Sequence, residues 1–131
     1  MYLSRNGILA ILLSLSVLPG TAHALCSATK NLHGAWNGSD DGKYSIRVNG
    51  ADVWWIGDGP GFKNVFKGVR KGRIVTGEWV DVVRPAGQSF NGGRLELELL
   101  GEGEFITQIR KKSSSGDGFG ATQWTKPCND N

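Results

Sequence analysis

Asp52-Val53-Trp54-Trp55-Ile56-Gly57 is the stretch around which the chain is organised. Four apolar residues in a row, two of them tryptophan and two β-branched, bounded by Asp and Gly, fit a short β-strand. Side chains alternate along a strand, so Val53 and Trp55 share one face while Trp54 and Ile56 share the other. A strand on a half-wet sheet needs only one apolar face, and this one has two. An aromatic side chain buries roughly 150–250 Å², so adjacent tryptophans call for two separate apolar environments. One is the interior of a barrel. The other is a covering loop, a terminal segment or a partner. The stretch alone does not say which tryptophan points inward.

Outward from this strand the chain repeats short alternating runs. Asn49-Gly50 precedes it and is a two-residue hairpin signal. Before that, Lys43–Val48 places Tyr44, Ile46 and Val48 on one face and Ser45 and Arg47 on the other. The loop Gly57-Asp58-Gly59-Pro60-Gly61 follows, too rich in Gly and Pro for regular structure. In Arg94–Leu100, Leu95, Leu97 and Leu99 face inward and Glu96 and Glu98 outward. Eight strands are predicted in all: Leu32–Gly38, Lys43–Val48, Asp52–Gly57, Phe62–Val69, Arg73–Val83, Arg94–Leu100, Glu104–Arg110 and Ala121–Lys126. Arg84–Gly92 and the Ser- and Gly-rich Lys111–Gly120 are read as loops. No useful length of helical periodicity remains after residue 24. The fold class is therefore all-β, an eight-stranded antiparallel up-and-down barrel, because closure removes the exposed sheet edges.

Residues 1–24 read as a secretory signal peptide. Arg5 is the positive start, Ile8–Leu18 the apolar stretch, and Ala22-His23-Ala24 the cleavage motif. The apolar run is too short to span a bilayer. Its removal leaves residues 25–131 as one barrel domain, secreted or periplasmic, with 14 basic residues against 12 acidic. So small an excess of charge gives no reason to invoke nucleic acid or a membrane surface. The two cysteines, Cys26 and Cys128, then sit near opposite ends of an exported chain and are expected to form one disulfide. A barrel agrees with this, since its last strand pairs with its first and brings the ends within reach of a bridge.

Gly34-Ala35-Trp36 on the first strand adds a resemblance. A G-x-W followed by a meander of about eight strands resembles the calycin group, the lipocalins and avidin-like barrels. The resemblance implies that Trp36 plugs one end of the barrel against a basic residue from near the last strand, Lys126 or Arg110. The chain departs from lipocalins in lacking their C-terminal helix, and the biotin-binding set of the avidin-like branch does not map onto it. It is also similar to small bacterial exported proteins with a V-W-W-x-G strand, here Val53–Gly57, and a G-E-W-x-D-V strand, here Gly77–Val82.

Little in the chain points to catalysis. With His23 removed, His33 is the only histidine, and oxidised cysteines offer no nucleophile. Asp40, Asp41, Asp58 and Asp117 sit in Gly-rich turns without a calcium-loop spacing and read as turn formers. No cofactor or metal is expected. Glu78 and Asp81 fall on opposite faces by parity, so they do not make a carboxylate pair. Asp81 shares a face with Trp79, and an inward Asp81 needs a partner such as Arg47, Arg84 or Arg94. The expectation is a monomeric, non-enzymatic binding protein. An aromatic-lined mouth or cleft would take a small apolar or sugar-like ligand, with Trp54, Trp55 and Trp79 as stacking surface and Asp81 and Arg84 fixing orientation. The alternative is an inhibitor or docking protein acting on another exported protein through Gly57–Phe62 and Lys111–Phe119.

Overall fold

The protein was analysed as a computed structural model, which describes residues 28–83, 91–116 and 118–128. Eight strands follow in chain order: β1 Gly34–Gly38, β2 Lys43–Asn49, β3 Asp52–Gly59, β4 Phe62–Lys71, β5 Ile74–Val83, β6 Gly92–Leu100, β7 Gln108–Ser114 and β8 Gln123–Thr125. Each pairs antiparallel with the next, and β8 pairs back onto β1, so the sheet closes into a barrel. Among the described residues there is no helix. The signal peptide, Cys26 and Arg84 lie outside the described residues. Cys128 lies just beyond β8.

The hairpins show why the strands run longer than their sequence pattern. Asn49 pairs with Asp52, so the β2–β3 turn is Gly50-Ala51, with Gly50 at φ 60°. A glycine at the first of two turn positions matches the type II′ turn, whose twist suits a hairpin. Gly59 pairs with Phe62, leaving Pro60-Gly61 as the β3–β4 turn, with Gly61 at φ 76°. The glycines of Gly57–Gly59 are therefore strand residues, and the expected loop there shrinks to two residues.

The seventh strand departs most. Glu104–Thr107 is not strand. Ile106 instead bridges to Thr29 of the N-terminal segment. The Arg73 guanidinium bonds the carbonyls of Leu99 and Gly103, holding this connection in a curl. The strand begins at Gln108 and continues through Lys111–Ser114, which the sequence had suggested was loop. A register shift between Glu96 and Leu97 allows that extension, because a bulge absorbs one residue without ending the ladder.

One side of the wall supplies the core: Tyr44, Ile46, Val53, Trp55, Phe66, Trp79, Leu97 and Trp124 are all buried. On β3 the question left by the sequence is settled: Trp55 faces inward at 3 % exposure, while Trp54 faces outward at 45 %. The interior is packed solid. Trp55 stacks on Phe66 with ring centroids 4.2 Å apart, and Trp124 meets Tyr44 edge-on at 5.7 Å.

The two ends differ. At one end Leu32 lies beneath Trp36, whose indole N–H donates to the Leu32 carbonyl at 2.8 Å. Lys126 Nζ stands 5.6 Å from the centre of the Trp36 ring. Arg110, the other basic residue considered, pairs with Glu98 instead. Toward the opposite end, residues of the β1–β2 and β7–β8 connections meet the ends of β4 and β5 and Asn91 around a cavity.

Candidate functional site

That mouth is built from polar residues standing on an aromatic floor. Along the strands, alternation sends Asn64 of β4 and Asp81 of β5 to the inner face. The ladder then makes them direct register partners. A register shift at Lys63/Asn64 leaves Val82 bulged outward beside them, 53 % exposed. Bulges of this kind re-aim side chains at barrel rims. Across β6, the Asn91 side-chain amide donates to Asp81 Oδ2 at 2.7 Å, and the Asp81 N–H donates to the Asn91 carbonyl at 2.9 Å. Gly57 completes the row beside Asn64. A Cβ there would lie 2.5 Å from a Tyr44 ring carbon and 2.6 Å from Asn64 Oδ1, so only glycine leaves room for both side chains.

Asp40 enters from the β1–β2 turn. Its Oδ1 accepts the Gly42 N–H at 3.0 Å, and Asp41 takes the left-handed conformation at φ 64° that Asp tolerates in turns. Its Oδ2 accepts the Tyr44 hydroxyl at 2.6 Å. Burial, then the neighbouring Asp40 carboxylate, pushes the Tyr44 hydroxyl far above its ordinary range. Tyr44 is thus a neutral donor holding Asp40 in place. Asn64, 2 % exposed, accepts the Trp55 indole N–H at 2.9 Å.

Phe119 is the residue that the sequence pattern concealed. It lies between β7 and β8, outside any alternating run. Lys111 Nζ donates to its carbonyl at 2.7 Å. Its ring meets Trp79 edge-on at 4.9 Å and Trp55 at 5.8 Å. Asp40, Phe62, Asn64, Trp79, Asp81, Asn91 and Phe119 together border a cavity of about 240 Å³. Trp79 is 4 % exposed, and its indole N–H has no acceptor among the described residues. A buried donor left unmade costs roughly 1–3 kcal/mol. The Trp124 N–H shares that condition but borders no described cavity.

A second concavity, about 550 Å³, lies in the outer wall over β3 to β6 and is bordered by Trp54, Lys67, Glu78, Trp79, Val80 and Arg94. The sequence-predicted set is therefore split. Trp79 borders both cavities. Trp54 borders only the outer one. Trp55 borders neither, because Phe66 and Phe119 cover it. Asp81 stands at the mouth, held by Asn91, while Arg94 lies 3.9 Å from Glu78 and Arg47 bonds His33. Glu78 is exposed outside and Asp81 lines the inner rim, as their parity implies. Of the mouth residues, Asn64 carried a legible signal: a polar residue at an inward position between Phe62 and Phe66. Asp40 carried none beyond its turn composition.

Among the described residues, no three His, Cys, Asp or Glu side chains converge as a metal site, and no helix is long and apolar enough to cross a membrane. No family model, no curated protein and no solved structure matches the chain.

Proposed function

We propose that the chain is an exported, non-enzymatic binding protein whose barrel mouth takes one small, hydroxyl-bearing, sugar-like group. The observation that carries this reading is Trp79, which borders the cavity rimmed by Asp40, Asn64, Asp81 and Asn91 and whose buried indole N–H has no acceptor among the described residues. A sugar ring supplies what such a site lacks. Its ring face packs on Trp79 and Phe119, its hydroxyls donate to carboxylate and amide oxygens, and one of its oxygens accepts from the indole. A purely apolar ligand would leave that indole donor unmatched. A volume of about 240 Å³ is below the usual 300–1,000 Å³ of a drug-sized site, so it suits a single ring or the end of a longer molecule.

Export and the Cys26–Cys128 bridge belong to the same proposal. Support for the bridge is the β1–β8 pairing and the Lys126–His33 contact, which hold the segment before β1 beside the segment after β8. Support for export is the apolar stretch Ile8–Leu18 followed by Ala22-His23-Ala24. Native mass spectrometry of protein from its own host reads cleavage, bridge and bound ligand together.

The direct test follows the indole N–H resonances during titration with monosaccharides and, separately, with a fatty acid. A monosaccharide should shift the Trp79 signal, and Trp79→Phe should abolish the response while the fold persists. If the fatty acid moves that signal and no monosaccharide does, the sugar reading fails.

A further inference from the structure

The outer wall of β3–β6 has a pattern that the mouth does not explain. Across the four strands, the antiparallel register aligns Trp54, Lys67, Glu78 and Arg94 in one row. Two residues along, it aligns Ile56, Val65, Val80 and Gly92 in a second row. All eight positions have outward parity. Trp54 and Ile56 are 45 % and 54 % exposed, which is costly for side chains of this size to leave in water. Within one copy the polar side chains engage only loosely. Lys67 Nζ lies 4.7 Å from the Trp54 ring centre, and Arg94 lies 3.9 Å from Glu78 at exposed positions. Surface pairs of that kind contribute little.

We propose that this wall is the interface between two copies of the chain, related by a two-fold axis that runs parallel to the strands between β4 and β5. Such an axis keeps the position along each strand and reverses the order of the strands. Each row then faces itself read backwards. In the first row Lys67 faces Glu78 of the second copy and Glu78 faces its Lys67, while Trp54 and Arg94 face each other twice. Every pairing is favourable: two ion pairs and two guanidinium-on-indole contacts. In the second row Val65 faces Val80, and Ile56 faces Gly92, which has no side chain to oppose it. A two-fold interface requires a self-complementary patch. A row reading aromatic, cation, anion, cation meets that requirement about its centre, whereas a partner of other chemistry gives no reason for the symmetry. The concavity of about 550 Å³ along this wall gives the facing side chains room to interdigitate.

The proposal is independent of the mouth, and its test does not involve ligand. Sedimentation velocity on the exported protein should show a mass twice that of one copy at protein concentrations on the order of micromolar. Lys67→Glu and Glu78→Lys each place two like charges face to face, and each should raise the dimer Kd roughly 100-fold. Combining both substitutions in one chain restores opposite charges across the axis and should return Kd to within about tenfold of wild type. Mixing the two single variants should give a heterodimer, since each then meets its complement. Both sites are exposed, and circular dichroism checks that each variant keeps its fold. The proposal is overturned if the wild type stays a single copy to about 1 mM, a far weaker limit than a specific dimer needs. It is equally overturned if the single variants dimerise unchanged, if the double variant does not recover, or if the wall binds a different protein and never itself.

Discussion

Replacing Asn64 by alanine tests how the mouth and the core are joined. Asn64 Oδ1 is the acceptor for the Trp55 indole N–H at 2.9 Å, and both residues are at least 97 % buried. Removing the acceptor strands a donor inside the barrel, at about 1–3 kcal/mol. Taking about 2 kcal/mol, and about 4–8 °C per kcal/mol for a domain of this size, the melting temperature should fall by about 8–16 °C. Lost packing adds to this, though the neighbouring mouth cavity lets the site relax. Trp55→Phe removes the donor and its second ring, so its own cost is larger. The decisive quantity is the coupling. In the double variant neither partner exists to be stranded, so the two single costs should exceed the double by about 0.5–1.5 kcal/mol. Urea unfolding followed by tryptophan fluorescence measures all four proteins, and unchanged slopes license the comparison. Additivity within about 0.3 kcal/mol would refute the idea that this bond ties the rim to the core.

Two further outcomes follow from the same geometry. Tyr44 in the folded protein ionises far above the value of about 10 that it has in the unfolded chain. Its contribution to stability is therefore complete below pH 10 and is lost as pH rises above it. In a Tyr2→Phe background, phenolate absorbance should appear together with loss of near-UV dichroism, and a phenolate signal near pH 10 from folded protein would contradict the burial. On β5, a Cβ at Gly77 would lie 2.1 Å from the Lys67 carbonyl oxygen and 2.5 Å from the Gly68 Cα. Backbone cannot swing aside, so Gly77→Ala should destabilise by about 1–3 kcal/mol or more in chemical denaturation, while Gly50→Ala, with nothing within 4 Å, should act only through its positive φ.

The fold class and the closure of the sheet were legible in the chain alone. Alternation of period two in Lys43–Val48 and Arg94–Leu100, glycine punctuation and the absence of helical periodicity leave a hairpin meander, and eight such strands close. The inward direction of Trp55 was also within reach. The β2–β3 hairpin sets Ile46 opposite Trp55 and Arg47 opposite Trp54, so the face of Trp55 is the apolar one. Local alternation missed this because it gives β3 two equally apolar faces. Glu104–Thr107 misled for a different reason. Its composition suits a strand, but the curl held by Arg73 and the bridge from Ile106 to Thr29 are contacts across distant parts of the chain. The mouth is the plainest case of an arrangement that local patterning could not supply. Asp40, Asn64, Asp81, Asn91 and Phe119 come from five separate places in the chain; parity marked Asp81 and Asn64 as inward, but nothing local marked Asp40, Asn91 or Phe119 as their neighbours. Periodicity reports which face a residue takes. Only the ladder register and the closing of β8 on β1 decide which residues meet at one rim.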